Sequence, residues 1–305
     1  MDKNFMNISR TYKVAGHVFR IEMDGDCGIW EKTSEPYGPF ETEEEAEPSL
    51  FSLTVGEAEA FDRSNPVYSN LDTVEPGFIG LSVYRSEAGH HFEFTQPMSG
   101  SVNGRLSITE DFSRASLSLE GSETERWLTF NTAVNFCFLL STSCRDTVLT
   151  HASCVLYQGK AYLFLGKSGT GKSTHSRMWM RALQDVVLMN DDHPVVRVGE
   201  DGKATAYGSP WSGKTRCYKN MQAPVGGIIR ISRAPYNKAR RLSPVESYAS
   251  LMTSCSGMTW EKALADGRDR TIQSVIAGVP CWVMECLPDE DAARVCAKAV
   301  TERQA

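Results

Sequence analysis

The sequence predicts a β-rich N-terminal domain over residues 1–125 and an α/β phosphate-loop domain over 126–305. Three observations carry this. Short runs of apolar and polar residues alternate through the first 120 positions with no helical pattern between them. Arg126 to Leu140 is then long and apolar enough for a buried helix, after which strand and helix patterns alternate. Finally, Ala161 to Thr174 (AYLFLGKSGTGKST) is an apolar run that breaks into a glycine-rich loop.

The chain has 305 residues, enough for two domains that each bury a core. Its net charge of −6 argues against a nucleic-acid partner held through phosphate contacts. The nine cysteines are scattered, with no C-x-x-C pair, which is the usage of reduced thiols. Met1 to Met6 lacks the apolar core of a signal peptide and no apolar run reaches membrane-spanning length, so a cytoplasmic protein with no membrane partner is expected.

In the N-terminal region, Thr11 to Glu22 places Val14, Val18 and Ile21 among polar neighbours, as a half-buried strand with one irregularity near Gly16. Polar, glycine-containing sequence follows, and the acidic run Glu41 to Glu47 reads as a solvated segment without function. Further strands are expected at Leu50 to Val55, Gly77 to Tyr84, His91 to Phe94, Gly104 to Ile108 and Ala115 to Leu119. His90 and His91 would point to opposite faces of a strand, which argues against a metal site there.

Beyond the helix of Arg126 to Leu140, Thr147 to Tyr157 and Lys160 to Leu165 read as a strand pair joined by Gln158-Gly159. The second strand leads into Gly166-Lys167-Ser168-Gly169-Thr170-Gly171-Lys172-Ser173, which satisfies G-x-x-x-x-G-K-[ST]. Side-chain-free positions let successive N–H groups turn inward around a polyanionic phosphate. Gly166, Ser168, Gly169, Thr170, Gly171, Lys172, Ser173 and Thr174 therefore form a candidate nucleotide cradle, with Lys172 reaching the outer phosphates and Ser173 ligating Mg²⁺. A helix starts here, with an apolar face of Met178, Trp179, Met180 and Leu183, and its N-terminal dipole favours an anion.

Val186 to Met189 is an apolar strand ending in Asn190-Asp191-Asp192. A strand that ends in acid downstream of a phosphate loop brings a carboxylate to the metal of a bound nucleotide, and the second carboxylate can accept a proton from an attacking hydroxyl. The alternative for such a pair is a turn in which both aspartates cap the next element. His151 lies ahead of the loop on the strand pair that feeds it.

Gly208 to Thr215 (GSPWSGKT) fits the same expression but follows the weak strand Lys203 to Tyr207, contains Pro210, and precedes a poor helix start. It reads as a rigid loop, from which Lys214 and Arg216 could screen phosphate oxygens while Trp211 walls the pocket. Arg230 and Arg233, in and after the strand-like Ile228 to Ile231, are further cations of the same sort. Pro244 to Ser254 reads as a helix with Ser243 as N-cap and Glu246 completing a capping box. Thr271 to Ile276 reads as helix, Val279 to Cys286 as strand with Trp282 and Met284 on one face, and Asp289 to Val300 as a closing amphipathic helix.

Thr150-His151-Ala152, the loop Gly166 to Ser173, and Leu188-Met189-Asn190-Asp191-Asp192 together resemble the catalytic domain of HPr kinase/phosphorylase and its kinase-like relatives, a family similar in turn to phosphoenolpyruvate carboxykinase. The resemblance spans residues 147–196, and those relatives carry a similar Gly-x-Pro-Trp segment after the aspartate pair. It implies an α/β phosphate-loop domain of the HPr kinase and phosphoenolpyruvate carboxykinase-like type, passing a phosphoryl group to a serine hydroxyl or another small acceptor. By position it implies Asp191 as general base, Asp192 and Ser173 as metal ligands, and His151 as an active-site histidine. The family's usual His-Gly is His-Ala here, and His193 follows the pair.

The expectation is thus a kinase dependent on ATP, or another nucleotide or diphosphate donor, and on Mg²⁺, with Asp191, His151 and Lys172 catalytic. Its acceptor would be a small-molecule or protein hydroxyl, and a homo-oligomer is allowed. The rival readings are a nucleotide-sensing module that transfers nothing, and a carboxykinase-like enzyme acting on a small carboxylic acid.

Overall fold

The computed structural model describes residues 7–25, 28–44, 49–74, 78–96, 98–258 and 260–302. The chain is mixed α/β and divides into two compact units, Met1–Thr142 with Thr259–Glu261, and Ser143–Met258 with Lys262–Ala305. The division falls after Thr142, whereas the sequence reading opened the second domain at residue 126. The reason is the face presented by the intervening helix, which buries Phe130, Val134, Cys137 and Phe138 within the first unit.

In chain order the first unit contains β1 (Asn7–Val14), β2 (His17–Asp24), α1 (Trp30–Tyr37), β3 (Ser52–Val55), β4 (Tyr68–Ser69), β5 (Gly80–Ser86), β6 (Gly89–Thr95), β7 (Val102–Thr109), β8 (Arg114–Leu119) and α2 (Glu123–Thr142). Among the described residues its strands form one mixed eight-stranded sheet, ordered β1-β2-β3-β8-β7-β6-β5-β4. The single strand expected over Thr11 to Glu22 is a hairpin instead. Ala15 and Gly16 both take positive φ, 51° and 77°, as a two-residue turn matching strand twist requires. Phe19 of β2 stacks on Phe51 at 4.8 Å and meets Phe138 of α2 edge-on at 6.1 Å, which ties sheet to helix. The segment read only as polar, glycine-containing sequence holds α1, whose Trp30 and Tyr37 are buried. Gly77, the expected start of one strand, and the end of the acidic run lie outside the described residues.

The second unit contains β9 (Thr147–Leu149), β10 (Ala152–Tyr157), β11 (Lys160–Leu165), α3 (Lys172–Ala182), β12 (Val187–Asp192), β13 (Val195–Val198), β14 (Ala204–Tyr207), β15 (Gln222–Arg233), β16 (Lys238–Arg241), α4 (Pro244–Met252), α5 (Lys262–Gly278), β17 (Cys281–Cys286) and α6 (Glu290–Thr301). Its sheet runs β12-β10-β11-β15-β14-β13-β9, with β17 also on β15 and β16 on β17. β15 is the shared strand: Gln222 to Pro224 pair with β14, while Val225 to Arg230 run parallel to β11.

Strand alternation divides the core between the two faces. Ala161, Leu163 and Leu165 of β11 pack with Leu251, Ile272 and Val275 of α4 and α5. Tyr162 and Phe164 pack on the other face with Trp179 of α3 and Ala293 and Cys296 of α6. Burying one such large side chain contributes on the order of 2 kcal/mol. The inward face of α3 is His175, Ser176 and Trp179, while Met180, expected to be apolar contact surface, is exposed.

The strand expected over Thr147 to Tyr157 is two strands. At Thr150-His151 the chain leaves β13, the partner of β9, and enters the β11–β12 neighbourhood as β10. Thr150 N–H donates to the Pro194 carbonyl and His151 N–H to that of Ser254. No helix among the described residues is long and apolar enough to cross a membrane.

Candidate active site

β11 runs into the loop Gly166 to Gly171, and α3 leaves it. Gly169 and Gly171 take φ of +75° and +111°, conformations that strain any residue with a Cβ, and Gly171 is the N-cap of α3. The loop closes on itself through Thr170, whose N–H and hydroxyl both donate to the Lys167 carbonyl at 3.2 and 2.7 Å. Gly166 is buried, Ser168 exposed, and Thr174 lies one residue into the helix beyond Ser173. Arg233, at the end of β15, reaches across and donates to the Gly169 carbonyl.

Lys172 is 9% exposed and folds back, its ammonium donating to the Gly166 carbonyl at 2.9 Å and lying 3.2 Å from His151 Nε2. Burial lowers its pKa, and the charges of Asp192 and Asp191 act in the opposite direction. An anion placed in the loop would meet both this ammonium and the start of α3.

β12 is antiparallel to β10, which is antiparallel to β11, so the acidic end of β12 lies at the same sheet edge as the loop. The Ser173 hydroxyl donates to Asp191 Oδ1 at 2.8 Å. Asp192 turns elsewhere: its Oδ1 lies 3.3 Å from His151 Nε2 and its Oδ2 3.2 Å from His193 Nδ1. The two imidazoles are nearly parallel, 17° between planes and 6.1 Å between centroids. Of the Ser173 and Asp192 that the resemblance implies as metal ligands, Ser173 bonds to Asp191, since neighbouring strand residues face opposite ways and the one facing α3 is Asp191.

Burial would raise the Asp192 pKa, but hydrogen bonds from His151 and His193 outweigh it and hold the carboxyl well below the usual range. Its backbone φ of 151° is one that residues with side chains adopt at a cost of about 1–3 kcal/mol. His151 Nε2 lies between the Lys172 ammonium, at 3.2 Å, and Asp192 Oδ1, at 3.3 Å.

The second glycine-rich match is a loop with no helix after it, and it lies against the acid pair. Gly213 N–H donates to the Asp191 carbonyl at 2.8 Å, and the Ser212 hydroxyl donates to the same oxygen at 3.1 Å. Gly213 packs against the Asp192 side chain, where a Cβ would come within 3.2 Å of its carboxyl carbon. Lys214 and Arg216 follow on this loop and are exposed, and Trp211 is buried.

Asn190, fully buried, joins strand to loop. Its amide nitrogen donates to the carbonyls of Ser209 and Trp211 at 3.3 and 3.1 Å, and its Oδ1 accepts from His193 N–H at 2.9 Å. Sequence reasoning assigned nothing to Asn190 and noted His193 only as a neighbour. The available signal was a buried-strand pattern that turns polar one residue before the acids.

Among the described residues no three His, Cys, Asp or Glu side chains could cage a metal ion by themselves. The Ser173–Asp191 pair fits a cation that arrives with phosphate oxygens, since Mg²⁺ takes only one or two protein ligands beside phosphate and water. In comparisons with known proteins, no family model matches this chain and none of the curated proteins does.

Proposed function

We propose that this protein is a Mg²⁺-dependent phosphotransferase, similar to the HPr kinase-like enzymes, that passes a phosphoryl group from ATP or another phosphoanhydride donor to a hydroxyl acceptor. The observation that carries the reading is the convergence of Lys172 and Ser173 with the acid pair at the end of β12 and with His151 ahead of β10: His151 lies 3.2 Å from Lys172 and 3.3 Å from Asp192, and Ser173 lies 2.8 Å from Asp191. A glycine-rich turn without a ligand has no need to gather two cationic or basic groups and two acids at its mouth.

In this reading the loop amides and Lys172 hold the donor phosphates, and Ser173 and Asp191 are the residues that would hold Mg²⁺, which when bound neutralises phosphate oxygens. Asp192 has His151 and His193 on its two oxygens, and its side chain is the more open to solvent of the acid pair. The acceptor hydroxyl gives its proton to the Asp192–His151 pair, whose facing atoms lie 3.3 Å apart. This exchanges the two aspartate roles that the family resemblance implies. Most of the rate would come from positioning and charge neutralisation.

The test uses γ-labelled ATP with a panel of hydroxyl compounds and with cell extract. Transfer of label to a recovered acceptor by the wild-type protein, its loss in Asp192→Asn, and retained nucleotide binding in that variant are the expected results. Label that goes only to water, whatever the acceptor offered, would overturn the kinase reading. Loss of turnover with intact nucleotide binding in Asp191→Asn instead would restore the other assignment of roles.

A further inference from the structure

The second unit buries a positive charge that none of its described residues neutralises. Arg268, in the second turn of α5, is 8% exposed. Among the described residues its guanidinium has neither a hydrogen bond nor an ion pair, and its Nε is out of contact with water. An ionised group taken out of water is strongly unfavourable unless it is paired, and arginine cannot relieve this by giving up its proton. The neighbouring acid is engaged elsewhere: Asp269 accepts from the Tyr248 hydroxyl and, at 2.7 Å, from the Gln273 amide.

The Arg268 side chain lies against the backbone of Gly257, where a Cβ would come within 2.4 Å of Nη1 and 2.5 Å of Cδ, so the close approach depends on glycine. This segment has unpaired donors of its own. Ser256 N–H donates to the Leu149 carbonyl at 2.9 Å, but among the described residues neither the Gly257 N–H nor the Met258 N–H has an acceptor, although Met258 is only 4% exposed. Buried amides are seldom left so. One guanidinium and two adjacent amides, all donors without acceptors, suit an oxyanion, and the guanidinium fork matches two oxygens of a carboxylate or phosphate group.

We propose that Arg268 and the amides of Gly257 and Met258 form a second anion site, which takes the carboxylate or phosphate group of a small molecule. It is separate from the phosphate loop, since α4 and α5 pack on the opposite face of the sheet from α3. It nevertheless adjoins the strand crossing at His151: the His151 N–H donates to the Ser254 carbonyl and Thr150 bridges to Cys255. An ion held at Arg268 therefore anchors the segment on which the His151 backbone rests.

Calorimetry and hydrogen exchange on the full chain carrying Lys172→Met, which disarms the phosphate loop, test this. Inorganic phosphate and succinate are separate titrants, in chloride buffer of equal ionic strength. At least one binds with a millimolar or tighter Kd, and adding Arg268→Met weakens it by about tenfold or more, the loss expected when a charge-assisted hydrogen bond is removed. Binding of phosphate alone identifies a phosphorylated ligand, binding of succinate alone a carboxylate, and binding of both a site for either. In the chain that keeps Arg268, the bound titrant slows exchange of the Gly257 and Met258 amides. Failure of both titrants to bind overturns the proposal, as does binding that Arg268→Met leaves within about twofold. Bound titrant with unchanged exchange at those two amides also overturns it, and that readout decides by itself should the Arg268→Met protein fail to fold.

Discussion

The hydroxyl of Ser173 donates to Oδ1 of Asp191 across 2.8 Å, joining the first turn of one helix to the end of a strand two places away in the sheet. Ser173 and Asp191 are the two residues that would hold Mg²⁺, and because they are bonded to each other, the contribution of each depends on the other. Ser173→Ala and Asp191→Asn should each raise the Mg²⁺ concentration needed for half-maximal nucleotide binding by about tenfold or more, and the double variant should lose much less than the sum. A Mg²⁺ titration of ATP binding in the four proteins gives the coupling. Additive losses would show that the two oxygens act separately.

Asn190 should matter to stability more than its lack of any catalytic group suggests. Its amide serves two carbonyls and the His193 N–H in a site with no exposure to water, so truncation leaves buried groups unpaired on both strand and loop. Asn190→Ala should destabilise the fold by about 2–3 kcal/mol, read from the urea midpoint at unchanged slope. An effect below about 0.5 kcal/mol would mean that water replaces the amide without penalty.

The first unit should weaken in mild acid. His90 and His91 both have pKa values below the ordinary 6.5: burial lowers each, and the Arg85 charge adds to the effect on His90. Glu110 and Glu261 face His90, and Glu59 faces His91, pulling the other way without reversing either shift. The unfolded chain therefore binds more protons below 6.5, so the stability these rings contribute is full above that pH and is lost as pH falls through it. The urea midpoint should drop between about pH 7.5 and about pH 5.5, and the drop should shrink in His91→Gln. A midpoint that stays level across this range would contradict the buried, neutral state of both rings.

Local signals carried the reading where one segment decides its own structure. The strand over Lys160 to Leu165, the helix after the loop, and the capping box of Ser243 and Glu246 are all present. What escaped depends on partners distant in the chain. Nothing local distinguishes a kinked strand from one that changes partners at His151, and nothing before pairing says whether Asp191 or Asp192 faces α3. The helix Trp30–Tyr37 carries a proline and few apolar residues, so its periodicity is weak and its stability comes from the buried Trp30 and Tyr37. The polar network of Asn190 was invisible for the same reason, since its acceptors lie some twenty positions away.

The change of partner at Thr150-His151 has a consequence for how this chain could tolerate length change. Inside either flanking strand an added residue would invert every later side chain between core and solvent. At the junction the pairing is reduced to an isolated bridge between Thr150 and Cys255, so an insertion would leave β9 and β10 each in its own frame. It would disturb the bonds of the Thr150 N–H and hydroxyl to the Pro194 carbonyl and of the His151 N–H to that of Ser254, while carrying the imidazole away from Lys172 and Asp192. Chemistry and architecture come apart at that one spot, where a protein of normal shape could be left inert.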